Sequence, residues 1–220
     1  MLGCPPAQCA KKLHLTRPYA TILLMYIVVG LGNPGEEYVE TRHNIGRMVL
    51  SALIKKNKFD DLEKNKKINA LTTEGKIGKE KVLILAPETF MNKSGVSVLP
   101  LVKSKKAAEQ LIVVRDDLDL PLGRMKITFN RSSGGHRGVE SIVRSLKTEA
   151  FIQVKVGISP STASGKLKKP TGDDVLDFII GNFKKPEMEK VKKIAKIAAE
   201  SVEMIVTDGR ETAMGEFNQA

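Results

Sequence analysis

Short apolar runs alternate with amphipathic helical patterns along most of the chain. Val and Ile are frequent in these runs, which predicts buried strands; the runs cover residues 26–29, 81–86, 111–114, 125–129 and 151–158. Apolar positions spaced three and four residues apart, together with helix-capping signals, predict the helices, which cover residues 44–57, about 94–102, 138–146 and 186–209. This alternation predicts an α/β fold, namely a single-domain three-layer α/β/α sandwich around a mixed, mostly parallel twisted sheet.

Size and composition fit a folded domain with its own core. The chain has 220 residues, of which 41% are hydrophobic and 28% are charged. Cys4 and Cys9 are its two cysteines, so a disulfide framework or a cysteine-based metal site within residues 26–220 is excluded. Thirty-six Lys and Arg against 25 Asp and Glu give a net charge of +11, which favours a polyanionic partner such as nucleic acid or an anionic membrane.

The first 24 residues differ from the rest of the chain. They carry basic residues but no acid, and their apolar run continues directly into the first predicted strand without an A-x-A-like cleavage site. The run is too short to span a bilayer. We therefore expect residues 1–24 to be a disordered extension or an upstream mis-start, and residues 25–220 to form the domain.

A glycine-rich turn follows the first predicted strand. Gly30, Gly32 and Gly35 match the G-x-G-x-x-G pattern of dinucleotide-binding folds, which also requires an acid about twenty residues later. Residues 53–56 instead read Leu-Ile-Lys-Lys within a predicted helix, which argues against a dinucleotide site. The chain also lacks the G-x-S-x-G, P-loop and H-E-x-x-H motifs, so the chemistry of those classes loses its main support.

Two histidines and one aspartate occupy positions suited to acid–base chemistry. His43 directly precedes a predicted helix, and His136 lies in a glycine-rich turn that opens another. Asp116 directly follows a predicted strand, where an acid can reach a histidine on a neighbouring loop. A single histidine is more often structural than functional, and for Asp117 and Asp119 we favour a turn-forming role.

Two asparagines complete this set. Asn33 lies in the glycine-rich turn, and Asn92 follows the strand predicted at 81–86. Asn92 is either the N-cap of the next helix or an amide donor aimed at a substrate, and spacing alone leaves both interpretations open.

Six separated blocks of sequence, taken together in order and spacing, resemble peptidyl-tRNA hydrolase of the bacterial type. The blocks are residues 30–35, Tyr38, 41–44, 89–95, 116–121 and 134–138. The resemblance runs from Tyr26 to about Gly209. It implies a single-domain α/β fold, cleavage of the ester between a stalled peptide and the terminal ribose of tRNA, and no cofactor or metal.

The resemblance also implies roles for individual residues. His43 matches the catalytic base, Asp116 the carboxylate that orients it, and Asn33 and Asn92 the amides that position water, ester and peptide. The residues expected to contact substrate are Tyr38, Phe90, Met91, Gly134, His136 and Arg137. A histidine base suits ester hydrolysis near neutral pH, and the missing serine motif favours direct attack by water.

The positive charge fits the acceptor stem of tRNA, an A-form helix that proteins recognise by its shape and backbone. The resemblance aligns Lys155 with a basic residue for the 5′-phosphate, and Lys126 is expected to replace a second one whose position is taken by Thr128. Further candidates for this surface are Lys190, Lys192, Lys193 and Lys196.

Two residues depart from the pattern of the family. Arg137 stands where bacterial members commonly have Asn, and Arg115 replaces a commonly found His. Arginine is always charged and can only donate hydrogen bonds. These changes bear on rate and phosphate binding more than on fold.

The alternative function is a non-catalytic protein of the same fold that binds structured RNA, as plant intron-splicing factors of the family do. A binder has no chemical need for a base–acid pair, so His43 and Asp116 favour the enzyme. We expect a cytoplasmic monomer, not bound to membranes, that recycles tRNA from stalled translation products. Import into an organelle would follow if residues 1–24 were a targeting segment.

Overall fold

The computed structural model describes residues 25–162 and 164–219, so the predicted extension 1–24 lies outside the described residues. The strands are β1 (Tyr26–Gly30), β2 (Glu63–Asn65), β3 (Ala70–Ile77), β4 (Glu80–Pro87), β5 (Leu111–Pro121), β6 (Met125–Phe129) and β7 (Ile152–Ser159). The helices are α1 (Ile45–Asn57), α2 (Gly95–Val98), α3 (Lys105–Ala108), α4 (Arg137–Leu146), α5 (Asp174–Ile180), α6 (Met188–Asp208) and α7 (Arg210–Phe217). Short 3₁₀ turns cover Glu36–Tyr38, Arg42–Asn44, Met91–Lys93 and Lys185–Glu187.

The strands form one mixed sheet in the order β2-β3-β4-β1-β5-β7-β6. The four central strands, β4, β1, β5 and β7, run parallel to one another. The antiparallel strands lie at the edges, β2 and β3 on one side and β6 on the other. The prediction of a mixed sheet is therefore confirmed, with its parallel part in the centre.

Helices cover both faces of the sheet, as the three-layer prediction requires. Because strand side chains alternate between faces, neighbouring residues belong to different halves of the core. Val28 and Val114 pack in one half with apolar residues of α1, α6 and α7. Val29 and Val113 pack in the other half with apolar residues of α2 and α4.

Two predicted boundaries are wrong. The strand expected at 111–114 continues to Pro121 because β5 pairs with β7 through Asp117, so Asp116 lies within the strand rather than after it. The helix expected at 94–102 is instead the 3₁₀ turn Met91–Lys93 followed by the four-residue α2. None of the helices within the described ranges has the length and apolar content needed to cross a membrane.

Candidate active site

Close packing of α1 against the sheet brings the turn that carries His43 to the ends of β1 and β5. A Cβ atom on Gly46 would lie 2.5 Å from the carbonyl oxygen of Val114 and 2.6 Å from that of Leu31, so only glycine fits this contact. A Cβ on Gly32 would lie 2.9 Å from Asn44 Oδ1. Gly32, the second glycine of the G-x-G-x-x-G pattern, thus lets this loop pack closely against the start of α1.

Asn33 is tied to this turn and to the neighbouring loop. Its backbone N–H donates to Asn44 Oδ1 (2.8 Å), and Asn44 Nδ2 donates back to the carbonyl of Asn33 (3.0 Å). The side-chain oxygen of Asn33 accepts the backbone N–H of Met91 at 3.0 Å. With Oδ1 occupied in this way, the amino group of Asn33 is the part of the amide left to donate to a ligand.

His43, Asp116 and His136 form one buried cluster, in which they are 6%, 3% and 7% exposed. His43 Nδ1 lies 2.8 Å from Asp116 Oδ1, and His136 Nε2 lies 3.0 Å from the same oxygen. The centres of the two imidazole rings are 5.1 Å apart. A carboxylate accepts hydrogen bonds, so both imidazoles direct an N–H at Asp116.

The cluster favours an ionised Asp116 and a neutral His136. Burial alone would raise the pKa of Asp116, but the two imidazoles outweigh it and hold that pKa well below its usual value. Burial lowers the pKa of His136, although its contact with Asp116 acts in the opposite direction. Asp116 therefore carries the negative charge that orients both rings.

The same three side chains are close enough together to be tested as a metal site, with one possible ligand atom from each lying within 4.8 Å of the others. Ligand atoms around a tetrahedral zinc ion are about 3.3 Å apart, given bonds of about 2 Å. The observed contacts of 2.8 and 3.0 Å are shorter and match hydrogen bonds. We therefore interpret the cluster as hydrogen-bonded.

A second charged group lies on the other face of β5. Arg115 Nη1 is 3.1 Å from Asp117 Oδ2, and Lys155 Nζ is 3.8 Å from the same oxygen. Lys155 pairs with Arg115 on β5 and with Lys126 on β6, so the three basic residues form a row across the sheet. Burial, followed by repulsion from Arg115, lowers the pKa of Lys155.

Arg115 connects this row to the loop before His136. Its guanidinium donates to the backbone carbonyl of Asp116 at 2.8 Å and to that of Ser133 at 3.4 Å. Arg115 is itself buried. Arg115 thus anchors the backbone between the two charged groups.

A cavity of about 430 Å³ opens beside Lys155. The polar side chains that line it belong to Lys126, Thr128, Arg131, Ser132, Lys155 and Asn218. The pairing of Lys126 with Lys155 therefore gives the cavity two basic residues from adjacent strands. The lysines expected at 190–196 do not continue this row, because α6 packs on the opposite face of the sheet, with Val154 and Val156.

Within the described residues, the residues predicted to contact substrate make no side-chain hydrogen bond to His43 or Asp116, apart from His136 itself. Met91 is buried, and a Cβ added to Gly138 would contact both its Sδ and the ring of His136. Phe90 is 61% exposed. Within the described ranges, no side-chain hydrogen bond is found for Tyr38, Asn92 or Arg137. Asn92 is exposed inside a 3₁₀ turn, so the N-cap interpretation is wrong.

Sequence reasoning missed the anchoring of the His43 turn by Arg42. This buried arginine donates to the carbonyls of Gly181 (3.1 Å) and Asn182 (2.8 Å) and to Glu187 Oε2 (3.0 Å). These partners lie about 140 residues away in sequence, so no local pattern could reveal them. The turn-forming role favoured for Asp117 is incomplete, because Asp117 accepts the N–H of Asp119 and also binds Arg115.

Three comparisons with known proteins, by family model, by sequence and by structure, identify the same family. Residues 27–220 match the family model described as peptidyl-tRNA hydrolase. A peptidyl-tRNA hydrolase of Carboxydothermus hydrogenoformans is 41% identical over 196 residues, covering 89% of this chain and 99% of that protein. One of Caldanaerobacter subterraneus subsp. tengcongensis is 41% identical over 195 residues, covering 88% and 100%.

Solved structures agree with the sequence comparisons. The crystal structure of peptidyl-tRNA hydrolase from Acinetobacter baumannii superposes with a TM-score of 0.78 at 28% identity, covering 90% of this chain and 97% of that one. Both the family model and the relatives span nearly all of the folded residues. The chain belongs to the peptidyl-tRNA hydrolase family.

Proposed function

We propose that this chain hydrolyses the ester between a peptide and the 3′-terminal ribose of tRNA, with His43 activating the attacking water. The observation that carries the proposal is the 2.8 Å contact between His43 Nδ1 and the buried Asp116 carboxylate. It fixes the tautomer of His43 so that Nε2 is left as the proton acceptor. Membership of the family supplies the substrate class.

The reaction follows from that tautomer. Nε2 of His43 takes a proton from water as the oxygen attacks the ester carbonyl, and Asp116 stabilises the imidazolium that forms. The imidazolium then returns the proton to the ribose oxygen as the C–O bond breaks. A ribose hydroxyl leaves readily, so water can attack directly and no covalent intermediate is required.

Amide donors are assigned to the developing negative charge and to the peptide. The amino group of Asn33 is a suitable donor because Met91 occupies its oxygen. Asn92 is exposed at the neighbouring turn and is free to meet a ligand. One donor aimed at an oxyanion contributes roughly 3 kcal/mol to transition-state stability. We assign substrate contacts around these donors to Tyr38, Phe90, Met91, Gly134, His136 and Arg137.

The tRNA end of the substrate is assigned to the row of basic residues. Lys155 and Lys126 are cross-strand neighbours beside the cavity, and Lys155 pairs with Arg115, the residue next to Asp116. The row begins on β5 at Arg115 and continues across β7 to β6, and neighbouring strands lie about 4.8 Å apart. We propose that the row binds the acceptor stem of tRNA through its phosphates.

The test is release of a labelled acyl-amino acid from N-blocked aminoacyl-tRNA by the wild-type protein. Turnover at catalytic amounts of enzyme is the expected result. Tight, salt-sensitive tRNA binding without turnover would instead support the RNA-binding alternative. We also propose a cytoplasmic monomer, and sedimentation with and without tRNA tests the oligomeric state.

A further inference from the structure

His136 has a fixed protonation pattern that follows from its hydrogen-bond partners. It is the N-cap of α4, and its Nδ1 accepts the backbone N–H groups of Gly138 (3.2 Å) and Val139 (3.3 Å). A backbone N–H can only donate, so Nδ1 carries no proton. The other nitrogen, Nε2, faces the acceptor Asp116 Oδ1 and therefore carries the proton.

The surroundings of His136 keep the ring in this neutral form. The N-terminus of α4 carries partial positive charge that opposes protonation of a capping imidazole. The titratable or charged groups that bear on His136 are Asp116, His43 and Arg115, and burial lowers its pKa despite the attraction of Asp116. A cationic His136 would lose both bonds to the helix, because a protonated Nδ1 cannot accept.

His136 and His43 meet at one oxygen of one carboxylate. Asp116 Oδ1 is 3.0 Å from His136 Nε2 and 2.8 Å from His43 Nδ1, and the arginine beside it binds the backbone rather than the carboxylate. Without His136, the described residues leave this buried carboxylate with His43 as its sole side-chain hydrogen-bond partner. The charge and the orientation of Asp116 therefore depend on both rings.

We propose that His136 is a positioning residue, which rests on the proposed function: as a fixed Nε2–H donor anchored to α4, it holds the Asp116 carboxylate ionised and directed at His43. The chain of contacts runs from the helix N-terminus to His136 Nδ1, through His136 Nε2 to Asp116, and on to His43 Nδ1. The N-terminus of α4 thereby orients His43, although the two lie in different parts of the sequence.

Two substitutions separate this role from capping alone. In His136→Asn, the side-chain oxygen can still cap α4, but the shorter side chain withdraws its donor from Asp116. In His136→Gln, the amide nitrogen reaches as far as Nε2 of histidine, while the cap is weakened. Ser104→Ala, which removes the remote cap of α3 on Ala107, is the control for cap loss far from the site.

Steady-state kinetics with N-blocked aminoacyl-tRNA measure kcat and KM for the three variants, and we expect the variants to differ in kcat. His136→Asn is expected to lower kcat about ten- to a hundredfold with little change in KM, the size of effect expected from loss of one hydrogen bond to a charged group. His136→Gln is expected to recover part of kcat despite lower thermal stability, and Ser104→Ala to keep the wild-type kcat.

Three results would overturn the proposal. Wild-type kcat in His136→Asn would mean that the residue only caps the helix. A raised KM with unchanged kcat would mean that it only contacts substrate. Equal kcat in the Asn and Gln variants would mean that the donor is irrelevant. If His136→Gln does not fold, the kcat and KM of His136→Asn decide.

A spectroscopic readout keeps this proposal distinct from the proposed function. NMR of ¹⁵N-labelled imidazoles in the full-length protein should show His136 protonated at Nε2 and unprotonated at Nδ1, and His43 protonated at Nδ1. A proton on Nδ1 of His136 would refute the positioning role whether or not the protein hydrolyses peptidyl-tRNA. Absence of turnover by the wild type would refute the proposed function and leave the tautomer result standing.

Discussion

Asp116 and Asp117 are adjacent on β5 and are both buried, yet they contact different kinds of partner. Asp116 meets two imidazole N–H groups, whereas Asp117 lies between the cations of Arg115 and Lys155. Strand alternation alone produces this difference, since consecutive side chains point to opposite faces. One residue type thus contacts the two imidazoles on one face and balances basic side chains on the other.

The largest expected effect distinguishes the two carboxylates directly. Asp116→Asn should lower kcat by a hundredfold or more, roughly, because the amide can present a donor where His43 needs an acceptor. Asp117→Asn should lower kcat far less but destabilise the fold by about 3 kcal/mol, since buried Arg115 loses its counter-charge. Single-turnover rates and urea unfolding of both variants check this contrast, and equal loss of kcat in both would contradict it.

A smaller effect is expected on the basic face. Lys155→Ala should weaken binding of tRNA that carries a 5′-phosphate and reduce the slope of log affinity against log salt by about 1. Lys192→Ala is the matched control, because Lys192 is exposed on α6, across the sheet from Lys155. Binding titrations with phosphorylated and dephosphorylated tRNA provide the measurement. An effect of Lys155→Ala that ignores the phosphate would remove Lys155 from this role.

The smallest effect concerns stability against pH. His136 has a lowered pKa in the fold, so below its ordinary value of 6.5 the unfolded chain binds a proton that the native state does not. Stability contributed by this group is therefore lost as pH falls below about 6.5, by at most about 1.4 kcal/mol per pH unit. In urea unfolding measured from about pH 7 downward, the free energy of unfolding should decline less steeply in His136→Asn than in the wild type. Parallel declines would contradict the neutral state of His136.

Asp116 adds its own loss of stability at lower pH. Its pKa is also held below the usual value of 3.8, so its contribution is present above that pH and fades as the solution becomes more acidic. The two losses of stability can be told apart because that of His136 begins near pH 6.5 and that of Asp116 near pH 3.8.

The sequence predicts the central strands and the edge strand β6, but it misses β2 and β3. Runs of Val and Ile identify β1 and β4, which are buried in the middle of the sheet. Strands β2 and β3 escape prediction because they are partly exposed and carry polar residues on much of their length. Helix α5 has no buried residue and so gives no amphipathic signal strong enough to identify it.

The candidate site was likewise predicted only in part. His43, Asp116 and Asn33 can be named from short motifs and a family resemblance, and the structure brings them to neighbouring turns and strands. The bridging role of His136 could not be predicted, because it depends on hydrogen bonds to Asp116, 20 residues away, and to the first turn of α4. The strand boundary at Asp116 was missed because three consecutive charged residues do not resemble a buried strand.

The most direct test of the account is His43→Ala, measured for both turnover and tRNA affinity. Because we assign the reacting water to His43 and the tRNA phosphates to the basic row on the other face of β5, kcat should fall by about 10²–10⁴-fold while tRNA affinity stays near that of the wild type. Retained turnover in His43→Ala would contradict the assignment of the base. Loss of affinity together with turnover would show that His43 supports the fold of the site rather than its chemistry.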